Sequence, residues 1–139
     1  MELKLFIIPG HLDNALYREI YLETYHTWKG VWDEVYKNEM GLQKTLFSDE
    51  FLRQDYIVAI FSEAKCAGLA TVRLTDFSLL PVREDSYFRN WPLETLHQIG
   101  KITGQVALAS SFTVHPLFRQ KQAGPCMKTL LLSLFLVDL

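Results

Sequence analysis

The segment Phe118-Arg119-Gln120-Lys121-Gln122-Ala123-Gly124 joins a strand-like run, Gln105 to Val114, to a leucine-rich run that opens at Pro125. A strand that turns tightly into a helix presents unpaired backbone N–H groups and the positive end of the helix dipole. Such a place suits an anion, a pyrophosphate above all. Arg119 and Lys121 add charge to the turn, and Gly124 lets a ligand approach the backbone closely. An ordinary strand–helix connection with solvated basic residues is the competing account, and spacing alone does not separate the two.

Other residue types capable of chemistry lie around this turn. Ser110 and Ser111, on the preceding strand, are the candidate catalytic residues, able to order a water or hold a substrate, although exposed strand serines need no such role. His115 has an imidazole that titrates near neutrality, but beside Pro116 a surface histidine is the plainer account. Glu23, Asp33 and Glu34 either face a cleft or are solvated. Arg73 either takes a substrate carboxylate or, more simply, pairs with Asp76. Trp28 and Trp32 stand one helical turn apart and read as core or pocket wall. Cys126 sits just inside the helix, where the dipole favours a thiolate, yet nothing near it in sequence completes a nucleophile–base arrangement.

The run Phe112-Thr113-Val114-His115-Pro116-Leu117-Phe118-Arg119, followed by Gln120 to Gly124 and a leucine-rich helix, resembles the central motif of the GNAT acyltransferase superfamily. Arg119 opens the turn and Gly124 matches its final small residue, whereas Gln122 stands where that family usually has its first glycine. The resemblance implies a transferase that moves an acetyl or other acyl group from acetyl-CoA or another acyl-CoA to a small-molecule or peptide amine by direct attack. Under it, Phe112, Thr113 and Val114 offer backbone groups to the pantetheine arm. The amides of Gln120, Lys121, Gln122, Ala123 and Gly124, with Arg119, hold the pyrophosphate. A second and more distant likeness is carried by Gly68-Leu69-Ala70-Thr71-Val72-Arg73-Leu74 and the long stretch after it. It is similar to the autoinducer and N-acyl amino acid synthase branch, which implies a long acyl chain delivered on acyl carrier protein or CoA, with Tyr87, Phe88 and Trp91 lining an acyl pocket. The first helix lacks that branch's acidic and arginine pattern. A third alternative is a degenerate domain that only binds CoA or mediates association.

The elements that must position these residues follow from periodicity. Leu3 to Ile8 reads as a strand closed by Pro9-Gly10, and Asp13 caps a helix running to about Tyr36, with Gly30 a place to bend it. Ser48 begins a short helix to residue 54. Tyr56 to Phe61 and Cys66 to Leu74 form a hairpin around a polar turn, with a bulge at Gly68. Residues 76 to 104 form a long connection with short helical pieces at 86–91 and 93–99, a length usually functional or mobile. The expected class is α/β or α+β: a GNAT-like mixed sheet with helices on both faces, in the order β-α-α-β-β-loop-β-α over one domain of residues 1–139.

Composition bounds the rest. Of 139 residues, 49% are hydrophobic and 22% charged, and nine Phe, six Tyr and three Trp favour a packed core. A net charge of −2 excludes a broad nucleic-acid surface. Cys66 and Cys126 make neither a disulfide framework nor a zinc pattern. The charged start and the short apolar run 129–137 predict no signal peptide and no membrane span, hence the cytoplasm. The final helix is apolar on almost every face and needs burial partners. The expectation is a domain lacking its C-terminal strands, completed by a missing half or by a second copy, and weakly active alone.

Overall fold

The computed structural model describes residues 2–11, 17–41, 46–102, 104–119 and 129. It is a mixed α+β structure built on a four-stranded antiparallel sheet in the order β1-β2-β3-β4. The strands are β1 (Leu3–Pro9), β2 (Tyr56–Ser62), β3 (Lys65–Asp76) and β4 (Gln105–Val114). All described strands are antiparallel, so the parallel component of the expected mixed sheet is not among the described residues. The chain separates into two compact units, residues 1–72 with 109–139, and residues 73–108.

In the larger unit, β2 reads Tyr-Ile-Val-Ala-Ile-Phe-Ser, and its five central residues are buried. An unbroken apolar run marks a strand covered on both faces, and β3 repeats the pattern from Cys66 to Val72. Edge strand β1 alternates instead. Phe6 and Ile8 point into the core, while Leu5 and Ile7 are 48% and 62% exposed. The hairpin closes on Glu63-Ala64, with Glu63 in the left-handed region at φ +54°. Ile60 pairs with Gly68 but Phe61 with Cys66, so the extra residue of the bulge is Ala67, one place before the Gly68 expected from the sequence.

Helix α1 (Arg18–Glu34) runs uninterrupted through Gly30 and continues as one π-helical turn, Val35–Glu39. A Cβ at Gly30 would meet nothing within 4 Å, so the glycine marks neither a break nor a close approach. The helix buries Thr24, Thr27, Trp28 and Val31, a stripe at three- and four-residue steps. Trp28 and Tyr25 pack on Phe51 of the short helix α2 (Asp49–Leu52), ring centroids 5.2 Å apart in each case. These rings cover the sheet face formed by Ile8, Ile57, Ala59, Phe61, Cys66 and Leu69. Ser48 precedes α2 as expected, but its side chain makes no capping bond; its carbonyl accepts from Phe51 and Leu52 instead.

Gly10 is a true close approach. Its N–H donates to the Asp55 carbonyl at 2.9 Å, the Tyr21 hydroxyl donates to its carbonyl at 2.9 Å, and a Cβ there would lie 1.6 Å from the Gln54 carbonyl oxygen. No side chain fits.

The smaller unit turns most of the expected long connection into structure: α3 (Leu80–Arg83), a 3-10 turn at Ser86–Phe88 and α4 (Leu93–Ile99). Phe77, Phe88 and Leu108 form its core, with Trp91, Leu96 and Ile99 packed around them. Tyr87 and Trp91 both pack edge-to-face with Phe88, which is fully buried. Phe88 is therefore core rather than the wall of an acyl pocket. Asp85 organises the turn: one carboxylate oxygen accepts from the Tyr87 N–H and the other from Arg73 Nη2 at 2.9 Å. The expected Arg73–Asp76 pair is thus replaced, because Asp76 turns to the Ser78 hydroxyl and N–H.

Candidate functional site

β3 and β4 are held together by hydroxyls. Thr71, fully buried, lies 3.2 Å from the Ser110 carbonyl and 2.9 Å from the Ser110 hydroxyl. With one hydrogen on each oxygen, the consistent pattern has Thr71 donating to the carbonyl and Ser110 donating back to Thr71 Oγ1. The Ser110 hydroxyl is thereby engaged in strand pairing.

Ser111 is different. Its φ of +52° places a non-glycine residue in the left-handed region, interrupting the extended course of β4. The next turns of the backbone are fastened from within. The Thr113 hydroxyl donates to the Ser111 carbonyl at 2.6 Å, and Thr113 Oγ1 accepts the Trp32 indole N–H at 3.0 Å. A relay therefore runs from α1 through a buried threonine to the carbonyl of the strained residue. Phe112, between them, is 42% exposed, and Val114 is buried.

Beyond Val114 the chain makes a 3-10 turn, Pro116–Phe118. The His115 N–H donates to the carbonyl of the bulge residue Ala67, and His115 Nδ1 accepts the Leu117 N–H. Nδ1 is then the unprotonated nitrogen, and the neutral tautomer carries its proton on Nε2. Burial pushes the His115 pKa below its ordinary value of 6.5, and the nearby Lys65 and Arg119 charges push the same way against Glu23. The imidazole is neutral at pH 7. Arg119 Nε donates to the Val114 carbonyl at 2.8 Å, which anchors the guanidinium at the end of β4. Among the described residues no carboxylate pairs with Arg119. Gln120, Lys121, Gln122, Ala123, Gly124 and Cys126 lie outside the described residues.

Two of the helical carboxylates have structural partners. Glu23 accepts from the Cys66 N–H at 3.4 Å and lies 3.5 Å from Lys65 Nζ, while Asp33 pairs with Lys29 at 3.5 Å. Trp28 is core. Cys66 is buried, and the low-dielectric surroundings push its thiol up to about 12, so it is no nucleophile at neutral pH.

The structure thus brings Ser110 to Arg119 onto one strand end and ties that strand to Trp32 and Thr71, two residues that sequence spacing did not connect to it. No local pattern signals a contact across 81 positions, as between Trp32 and Thr113. No family model, curated protein or solved structure matches the chain. No helix among the described residues is long and apolar enough to cross a membrane.

Proposed function

We propose that this chain is a GNAT-type N-acyltransferase of the cytoplasm, which uses acetyl-CoA or another acyl-CoA and an amine acceptor. The observation that carries the reading is the end of β4: a strand interrupted at Ser111 and finished by Arg119, whose Nε anchors the guanidinium on the Val114 carbonyl and with which no carboxylate pairs among the described residues. The described order β1, α1, α2, β2, β3, β4, with α3 and α4 between the last two strands, is compatible with the order that the motif resemblance implies. The acyl donor supplies a thioester, whose carbonyl carbon is attacked by the amine nitrogen as the C–S bond breaks and the amine loses a proton.

In this reading the backbone of Phe112, Thr113 and Val114 aligns the donor's arm, and Arg119 with the amides of Gln120 to Gly124 binds its pyrophosphate. Ser111 orders the water that accepts the amine proton, since the Ser110 hydroxyl is held by Thr71. Aligning the two reactants at a fixed strand end lowers the entropic part of the barrier. Of the three rings on which the long-chain alternative relies, Phe88 is core rather than pocket wall.

Calorimetric titration with acetyl-CoA, free CoA and a long-chain acyl-CoA tests this reading. Micromolar acetyl-CoA binding, weakened at least ten-fold by Arg119→Gln, is expected, an effect of about 1.4 kcal/mol. Absence of binding to all three ligands sinks it.

A further inference from the structure

On the smaller unit, α3 and α4 border an open groove of about 240 Å³ lined by Arg83, Leu93, Leu96, His97, Gly100 and Lys101. Two properties set it apart. Its lining is largely apolar, and Leu93 is 82% exposed at the start of α4. Its rim carries Arg83, Lys101 and the imidazole of His97, and no carboxylate lines it. Among the described residues, none of these three groups takes part in an ion pair; the nearby Asp85 is held by Arg73. A chain of net charge −2 thus leaves unneutralised cations around an apolar floor. Exposed apolar surface beside cations of one sign is a surface that an amphiphilic anion fits.

We propose that this groove binds a small organic carboxylate with a short apolar tail. The carboxylate lies between the Arg83 fork, which donates two parallel hydrogen bonds to such a group, and the Lys101 ammonium. The tail lies on Leu93 and Leu96. Size limits the ligand: about 240 Å³ is below the usual range for drug-sized ligands and holds roughly eight water-sized atoms. A free monocarboxylate of about eight carbons meets both requirements. A phosphodiester backbone lacks the apolar part, and an uncharged alkane leaves the cations unused. No residue of β4 or its turn takes part, so this site stands or falls separately from the acyl-transfer reading.

Octanoate is the probe, titrated into the ¹⁵N-labelled full chain at low salt and followed by NMR. Saturable shifts confined to the amides around residues 83 and 93–101 are expected, with acetate and octyltrimethylammonium producing none. Affinity should fall about ten-fold in the Arg83→Gln/Lys101→Gln double variant, as two exposed charge contacts predict. It should fall about four-fold for each methylene removed from the tail. Leu93→Ser, at an exposed position, should weaken octanoate without moving the core amides of Phe77 and Phe88. Equal binding of octanol or of the cationic analogue would overturn the proposal, as would shifts centred elsewhere. Binding to phosphatidylglycerol vesicles without saturable octanoate binding would also overturn it, by making the patch a membrane surface.

Discussion

Replacing Trp32 by Phe keeps a ring on α1 and removes the one N–H that reaches β4. Thr113 Oγ1 then loses the donor 3.0 Å away but still donates to the Ser111 carbonyl. One neutral hydrogen bond contributes about 0.5–1.5 kcal/mol net, and the smaller ring adds a packing loss at a half-buried position, so the expected cost is about 1–2 kcal/mol. Thr113→Val removes more: it leaves the indole N–H and the Ser111 carbonyl both without this hydroxyl, at about 2–3 kcal/mol. The double variant should cost less than the sum of the singles, with a coupling energy of about 1 kcal/mol. Urea unfolding at equal m-values measures each term. Thr113→Ser keeps the hydroxyl and should recover most of the loss. A coupling energy indistinguishable from zero, or a Thr113→Ser variant no better than valine, would show that the relay does not hold the Ser111 conformation.

Two glycines should respond in opposite directions to the same substitution. Gly30→Ala, in open helix, is expected to stabilise by about 0.5–1 kcal/mol. Gly10→Ala should destabilise by about 1–3 kcal/mol or more, because the Gln54 backbone must move; thermal unfolding of both variants checks the pair. Cys66, with its thiol pushed up to about 12, should resist iodoacetamide at pH 8 in the folded chain and react once unfolded, as peptide mass mapping would show. His115 should titrate below 6.5 by NMR. Its folded pKa is depressed, so between that value and 6.5 the unfolded chain binds more protons; stability falls as pH drops through this window, and His115→Gln should flatten that slope.

What the sequence conveyed about the fold depends on the range of the interaction. β2 and β3 were legible because burial on both faces requires consecutive apolar residues, which no amphipathic helix shows. The Pro9-Gly10 turn was legible for a related reason, since only glycine tolerates a backbone at that distance. Within the stretch from 76 to 104 the helix at Leu93–Ile99 and a helical turn from Ser86 were expected, whereas α3 was not, because four residues show no periodicity. The order of the stretch comes from Phe77, Phe88 and Trp91 meeting across turns, a tertiary fact. The Arg73 partner failed likewise: the nearer carboxylate in sequence, Asp76, serves Ser78, and the nearer one in space is Asp85.

The candidate site divides along the same line. That a strand ends at Val114 and turns at Pro116 was visible from composition alone, and Arg119 stands there as expected. The left-handed Ser111 was not, because nothing about a serine announces a positive φ. Such a conformation costs about 1–2 kcal/mol for an L-residue and persists only where its surroundings impose it. Here the surroundings are identifiable: Thr71 clamps the residue before it, Thr113 bonds its carbonyl, and Trp32 braces Thr113 from another element. Thr113 bonds Ser111 itself, while Thr71 and Trp32 hold its neighbours. The proposed role of Ser111 rests on that bracing of a strained conformation. Ser111→Gly separates strain from function: it should relieve the backbone at no loss of fold, so any lost activity in that variant belongs to the missing hydroxyl.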